Sequence, residues 1–281
     1  MRSFAGQRVV ITGGSSGIGK ELARQWLASG AHVTLVADGA ARLEAAQHEL
    51  STGTAAIETA VCDVADAGAV ATMATRYVER HGAPHVLVNN AGYAVYRSFE
   101  EMELEEINRL IQVNFSGACF VTSAFLGSMA AARRGHIVLM ASIAGRLPMT
   151  PCGIYSAAKH GMVAWAETLK AEVARHGIDV HVVCPGRVDT AFFHHDTFVQ
   201  RTPRPEAQQF VPVESVARAA IEAVERGRFL TYRPRTYRFV VWAAQSLPVL
   251  SRPWLQGLMR ARIQTLVGGK PNDARLGSDA R

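Results

Sequence analysis

Cysteine is scarce in this chain, and none of it falls in a metal-binding or redox spacing. Cys62, Cys119, Cys152 and Cys184 lie far apart with no Cys-x-x-Cys among them, which argues against a zinc ribbon, a thioredoxin-type motif or a disulfide scaffold. Reduced, mostly buried thiols of a cytoplasmic protein are the expectation. Cys152 is the exception, three residues before Tyr155 in a loop and within reach of a site there. No uninterrupted apolar run reaches the roughly 18 residues that a membrane-spanning helix needs. Met1–Gly6 is short and polar, unlike a secretory leader. Internal repeats and low-complexity tracts are also lacking. Acidic residues disappear from one long region: none lies between Arg233 and Asp273. From Arg233 onward nine of the 30 Lys and Arg residues face only two of the 24 carboxylates, so the net charge of +6 belongs to this tail. The preceding 232 residues are almost neutral, so the basic charge says nothing about the catalytic body.

The composition, 48% hydrophobic and 19% charged, is that of a globular chain rather than a disordered one. Apolar strand-like runs alternate with amphipathic stretches. Strands are predicted at Arg8–Thr12, His32–Val36, Ala55–Val61, His85–Asn89, His136–Ala141, Asp179–Cys184 and Phe229–Tyr232. Helices are predicted at Gly17–Gly30, Ala40–Leu50, Ala67–His81, Leu104–Arg133, Tyr155–His176 and Glu214–Arg226. Near-continuous apolar strands separated by helices imply an α/β fold, a doubly wound parallel sheet that receives ligands at the carboxyl ends of its strands. Residues 1–232 are expected to form this Rossmann-type unit, and residues 233–281 a helical, basic extension.

The first predicted strand runs into Thr12-Gly13-Gly14-Ser15-Ser16-Gly17-Ile18-Gly19. Glycines there let a pyrophosphate approach the backbone, and the amides of the following helix start point at the anion. Asp38, nineteen residues beyond Gly19, follows the second strand. A carboxylate there accepts from the adenosine ribose hydroxyls and repels a 2′-phosphate. No Lys or Arg lies between Thr12 and Gly19, and both facts favour NAD over NADP. Arg42 counts the other way, since it can swing toward a 2′-phosphate from the next helix. Asp63, with Val64 beside it after the third strand, is placed to accept from an adenine amino group. Asn90, Ala91 and Gly92 end the fourth strand with small and amide residues against which a cofactor can lie.

Tyr155 and Lys159 stand four apart, and Ser142 lies thirteen residues before the tyrosine. On a helix the pair shares one face. A nearby ammonium favours the phenolate, so the expectation is a tyrosine pKa brought toward neutral from its ordinary value near ~10. The phenol, ammonium and hydroxyl together are the parts needed to move a proton on or off a carbonyl oxygen.

Taken together, Thr12–Gly19, Asp63, Asn89–Gly92, Asn114, Ser142, Tyr155 with Lys159, and Pro185-Gly186 with Thr190 resemble the short-chain dehydrogenase/reductase family. The likeness extends from about Arg8 to Tyr232. It implies hydride exchange between a nicotinamide cofactor and a secondary alcohol or ketone, with Tyr155 as general acid/base and Ser142 bonded to the substrate oxygen. Lys159 would lower the tyrosine pKa and hold the nicotinamide ribose, while Asn114 would interrupt its helix and relay a proton from Lys159 through water. Pro185, Gly186, Val188 and Thr190 would cradle the carboxamide. The helices at Leu104–Arg133 and Tyr155–His176 resemble those that pair in family dimers and tetramers. NAD-using members often carry their acid where this chain has Ala37, so Asp38 is displaced by one. Thr12–Lys20 and the tail also look like the branch that reduces 3-ketosphinganine with NADPH. An NADPH-dependent long-chain ketone reductase and a non-catalytic dinucleotide-binding protein are therefore the alternatives.

The segment Ala191–Pro212 reads as a flap. Its Phe192, Phe193, Phe198 and Phe210, with Leu147, Met149 and Ile154, are candidates for an apolar substrate pocket. His194 and His195 have no third ligand in sequence, and no metal is expected. The tail's Phe239, Trp242, Leu250, Trp254 and Leu258 among arginines suit an anionic membrane surface, a subunit interface or a cover over the substrate mouth. They are too interleaved with arginine for a phosphate-tracking strip.

Overall fold

The computed structural model describes residues 4–51, 56–188, 190 and 210–267. Seven parallel strands form one sheet in the order β3-β2-β1-β4-β5-β6-β7. They are β1 Arg8–Thr12, β2 His32–Ala37, β3 Ile57–Val61, β4 Val86–Asn89, β5 Gly135–Met140, β6 Ile178–Pro185 and β7 Leu230–Arg233. The helices are α1 Gly17–Ala28, α2 Ala40–Leu50, α3 Ala67–His81, α4 Leu104–Ile111, α5 Gly117–Ala132, α6 Gly153–Val173, α7 Val213–Glu225, α8 Tyr237–Ser246 and α9 Pro248–Val267.

Successive strand residues face opposite sides, so each apolar strand feeds two cores. Val10, Leu87, Ile137, Leu139, Val180 and Val182 face the layer holding Tyr77 of α3, Phe125 of α5 and Met162 of α6. Val9, Ile11, Val88, Val138 and Val183 face the layer holding Leu22 and Trp26 of α1, Leu43 of α2 and Val216 of α7. Full cover on both sides explains why these strands read as unbroken apolar runs. The predicted elements are all present among the described residues, with shifts of a few residues at their ends. Ala55, the predicted start of the third strand, lies outside the described residues.

One predicted helix is not continuous. Leu104–Arg133 resolves into α4, a π turn at Gln112–Ser116, and α5. Within the turn, the Asn114 amide donates to the Leu110 carbonyl, 3.0 Å, and to the Tyr93 carbonyl, 2.7 Å. A side chain that bonds the ladder carbonyl itself explains the local widening of the helix. By length and composition Leu104–Ala132 is apolar enough to cross a membrane. Here Val121, Phe125 and Met129 of that stretch are fully buried against the sheet.

The strand order reverses between β1 and β4, and this places the site. The Thr12 hydroxyl donates to the Val88 carbonyl and accepts from the amides of Asn90, 3.0 Å, and Ala91, 3.1 Å. The Asn90 side chain returns to the carbonyls of Thr12, 3.0 Å, and Gly13, 3.2 Å. The carboxyl ends of the two central strands are thus tied where a doubly wound sheet opens a crevice.

Candidate active site

A cleft of about 680 Å³ opens over the carboxyl ends of the strands. Its walls gather the residues singled out in sequence: Gly13, Ser15, Ser16, Gly17 and Ile18 at one end; Asp38, Asp63 and Val64 beside them; Asn90, Ala91, Gly92 and Asn114 along the floor. Ser142, Tyr155, Lys159, Pro185, Gly186, Val188 and Thr190 complete the other end. Gly19 is the exception. It does not line the cleft; it lies beneath it, where a Cβ would run into the Gly13 carbonyl and stand 2.6 Å from the Asn90 amide nitrogen. Its contribution is close packing of α1 under the loop.

These features fit a dinucleotide. Gly13 has φ +64 and the loop backbone leads into the α1 amides, the cradle that a pyrophosphate uses. Ser16, at the N-cap of α1, makes no side-chain cap bond. The end of the cleft at Asp38 and Asp63 carries two ion pairs. Arg42 Nη2 meets Asp38 Oδ1 at 2.8 Å, and Arg109 Nη1 meets Asp63 Oδ2 at 2.8 Å. Burial pushes the Asp63 carboxyl up, but Arg109 and the Ala65 amide outweigh it and hold the group ionised below its ordinary value. Arg109 was not singled out in sequence. No local signal marks it: it lies on α4, 46 positions from its partner, and only the fold joins them.

At the other end, the Ser142 side chain accepts from the Ala144 amide at 3.1 Å, capping a short 3-10 turn at Ile143–Gly145, and its hydroxyl bonds Tyr155. On α6, Lys159 Nζ lies 5.7 Å from the centre of the Tyr155 ring and donates to the Met140 carbonyl at 3.0 Å. Asn114 stands across Gly92 from this ammonium. A Cβ on Gly92 would be 2.6 Å from Asn114 Oδ1 and 3.4 Å from Lys159 Nζ. That amide oxygen is buried with no hydrogen-bond partner among the described residues, so it is an acceptor aimed at the lysine side of the floor.

The expectation that Lys159 would draw the Tyr155 pKa down needs correction. Burial pushes the phenol above its ordinary value, and the Ser142 hydrogen bond opposes this only in part. The ring keeps an edge on the cleft, so water there moderates the shift without reversing it. Lys159, 5.7 Å from the ring centre and bonded to the Met140 carbonyl, does not offset that burial, and burial lowers Lys159 itself to about 8. Tyr155 is therefore held as the neutral phenol near neutral pH.

This has a consequence for stability. Lys159 binds its proton less tightly folded, at about 8, than unfolded, near 10.5. Between those values the unfolded chain holds more protons, so stability from this group rises with pH. The span corresponds to about 3 kcal/mol. Urea titrations from pH 7 to pH 10 should therefore show a smaller upward slope for Lys159→Met than for the unmodified protein. Equal slopes would remove the desolvated ammonium from the account.

The end expected to take substrate is walled by Ala94, Tyr96, Ile143, Met149 and Cys152, together with Arg187. Of the four described residues expected here, Met149 lines the cleft, whereas Leu147, Ile154 and Phe210 are half-buried and do not. Ile154 adjoins Tyr155 in sequence, and consecutive helix residues point ~100° apart. Phe192, Phe193, His194, His195 and Phe198 lie outside the described residues. Val188 and Val211 form an isolated parallel bridge, with the Val211 amide donating to the Arg187 carbonyl at 2.7 Å. Cys62 and Cys184 are buried and Cys119 and Cys152 half-buried, and none of the four is in a disulfide. No cluster of metal-ligating side chains occurs among the described residues.

A parallel sheet opening on a glycine loop at one end and a Ser-Tyr-Lys cluster at the other defines a dinucleotide-binding oxidoreductase class. The chain belongs to the short-chain dehydrogenase family, whose sequence model matches residues 7–198. The bovine (Bos taurus) dehydrogenase/reductase SDR family member 7B is 35% identical over 188 residues, 65% of this chain; the match spans only 58% of that protein's length. Levodione reductase superposes with a TM-score of 0.76 at 25% identity, covering 82% of this chain and 96% of its own. A variant of the actinorhodin polyketide ketoreductase with NADPH gives 0.75 at 29% identity, over 81% and 95%.

Proposed function

We propose that the protein transfers a hydride between a nicotinamide dinucleotide and a secondary alcohol or ketone of bulky, apolar shape. One observation carries this reading: Ser142, Tyr155 and Lys159 converge at the carboxyl end of β5 on the same cleft as the glycine loop. The dinucleotide, when bound, supplies the hydride chemistry. Gly13–Ile18 and the α1 amides would hold its pyrophosphate, and Pro185–Thr190 its carboxamide.

The residues of the chain do the proton work. Ser142 donates to the carbonyl oxygen, where negative charge gathers. Tyr155 gives that oxygen its phenolic proton, and its raised pKa keeps it in the protonated form that ketone reduction requires. Lys159, still mainly cationic at pH 7 with a pKa of about 8, stabilises the phenolate left behind. Asn114 Oδ1 is the acceptor through which a water relays the next proton toward Lys159. Apolar walls at Ala94, Ile143 and Met149 favour hydrocarbon-rich substrates over sugars. A homodimer or homotetramer accords with the family resemblance, and the absence of paired cysteines with a cytoplasmic setting, peripheral to a membrane.

NAD is the cofactor favoured. A 2′-phosphate would face the Asp38 carboxylate, and Arg42 is already held by that carboxylate at 2.8 Å. Arg42 and Arg109 at the same wall are what an NADPH-dependent reductase would use instead. Fluorescence titration should find NADH bound more tightly than NADPH, with Asp38→Ala narrowing the gap by up to about fivefold, the scale of one exposed charge contact. Tighter NADPH binding by the unmodified protein would replace NAD with NADP. The activity itself is tested on a panel of long-chain, steroid-like and aromatic alcohols and ketones with both cofactors. Dinucleotide binding without hydride transfer on any of them would leave the non-catalytic reading.

A further inference from the structure

The helices that follow β7 carry their largest apolar side chains on the outside. On α8, Tyr237, Val241 and Ala244 turn inward, whereas Phe239 is 58% and Trp242 66% exposed. On α9, Ser251, Leu255 and Met259 turn inward at intervals of four, whereas Leu250, Trp254 and Leu258 repeat the same interval at 71%, 60% and 50% exposure. A soluble surface rarely collects this much contiguous apolar area without a partner.

The charge around these stripes is of one sign. Arg238, Arg252 and Arg260 are exposed and make no ion pair among the described residues, and α8 and α9 contain no carboxylate. A second copy meeting this surface about a twofold axis would set arginine against arginine, since such an interface is self-complementary. An anionic lipid surface instead offers hydrocarbon for the tryptophans and leucines and phosphate for the arginines.

The same helices border the substrate end of the cleft. Gly186, which lines the cleft, packs so closely on Tyr237 that a Cβ there would lie 2.7 Å from the ring. Arg146 donates to Gln245 of α8 at 2.7 Å, and the Thr150 hydroxyl donates to the Met259 carbonyl of α9 at 3.3 Å. Met149 and Thr150 line the cleft on one side and a shallow depression against Met259 on the other.

We propose that α8 and α9 dock on an anionic lipid surface and hold the substrate mouth against it, so that the substrate is a ketone or alcohol dissolved in the bilayer. The substrate clause rests on the hydride-transfer reading; the docking clause does not. Tryptophan and leucine enter the interface, the arginines bind headgroup phosphates, and the Pro148–Thr150 loop lies between the lipid and the catalytic tyrosine.

The test is co-sedimentation of the full chain with vesicles of phosphatidylcholine alone or mixed with phosphatidylglycerol. Three arginines near the surface predict partition on the anionic vesicles roughly 100-fold stronger than on the neutral ones, falling as salt rises. The double variant Trp242→Ser, Trp254→Ser alters only exposed side chains. It should bind anionic vesicles at least ~10-fold more weakly, keep turnover of a water-soluble ketone, and lose turnover of a ketone carried in the vesicles. Two outcomes overturn the proposal: no preference for anionic vesicles, or a wild-type dimer in sedimentation velocity that this double variant abolishes while vesicle binding is nil. Vesicle binding without ketone turnover would uphold the docking and sink the hydride-transfer reading instead.

Discussion

Tyr155→Phe is expected to lower ketone reduction about 10³-fold while leaving dinucleotide affinity within a few-fold. The substitution removes one oxygen and keeps the ring that Lys159 faces at 5.7 Å, so the site should retain its shape. What is lost is the proposed acid at the substrate oxygen, a contribution of roughly 10²–10⁴. Binding is spared because the pyrophosphate cradle lies at the other end of the cleft, on Gly13–Ile18. Steady-state kinetics with saturating cofactor, beside a dinucleotide titration, separates the two effects. A variant retaining more than about a tenth of the unmodified rate would move the proton donor to another group and dissolve the assignment of Tyr155.

Gly19→Ala should have the second large effect, on binding and on stability at once. The added methyl has no room: the Gly13 carbonyl lies on it and the Asn90 amide nitrogen is 2.6 Å away. Both neighbours are fixed, since the Asn90 side chain is bonded to the Thr12 and Gly13 carbonyls. Overpacking of this kind costs about 1–3 kcal/mol. Displacing the loop by about 1 Å should weaken dinucleotide binding and lower the hydride-transfer rate roughly 100-fold. Thermal melts and a cofactor titration would show both losses. If the variant melts and binds as the unmodified protein does, the loop is not the rigid cradle described above.

Much of the architecture could be read locally. Strands such as Val86–Asn89 and helices such as Ala67–His81 are marked by apolar runs and period, because burial on both sheet faces demands them. The four-residue interval from Tyr155 to Lys159 translates directly into a shared helix face. Other features depend on contacts that no local pattern encodes. Arg109 finds Asp63 only after α4 crosses the carboxyl end of the sheet. The direction of the Tyr155 shift follows from how many protein atoms surround the phenol, and sequence proximity to a lysine is a poor guide to that. Leu147 and Ile154 have the right chemistry for the pocket, yet adjoining backbone turns them aside. The break inside Leu104–Arg133 was expected at Asn114 from the family likeness, but its form, a π turn held by a side-chain amide, comes from the Leu110 and Tyr93 carbonyls it bonds.

The hydroxyl of Thr12 gives the site a property of its own. Ladder pairing between β1 and β4 ends at Ile11 and Val88, and beyond it the two chains must part to leave a crevice. One oxygen spans the parting, taking two amides from the far chain. The floor of the cleft is therefore ordered before any ligand arrives, and the entropy of setting it has already been spent in folding. Ligand contacts at the ends of β1 and β4 then act on a surface that the Thr12 hydroxyl already holds in place.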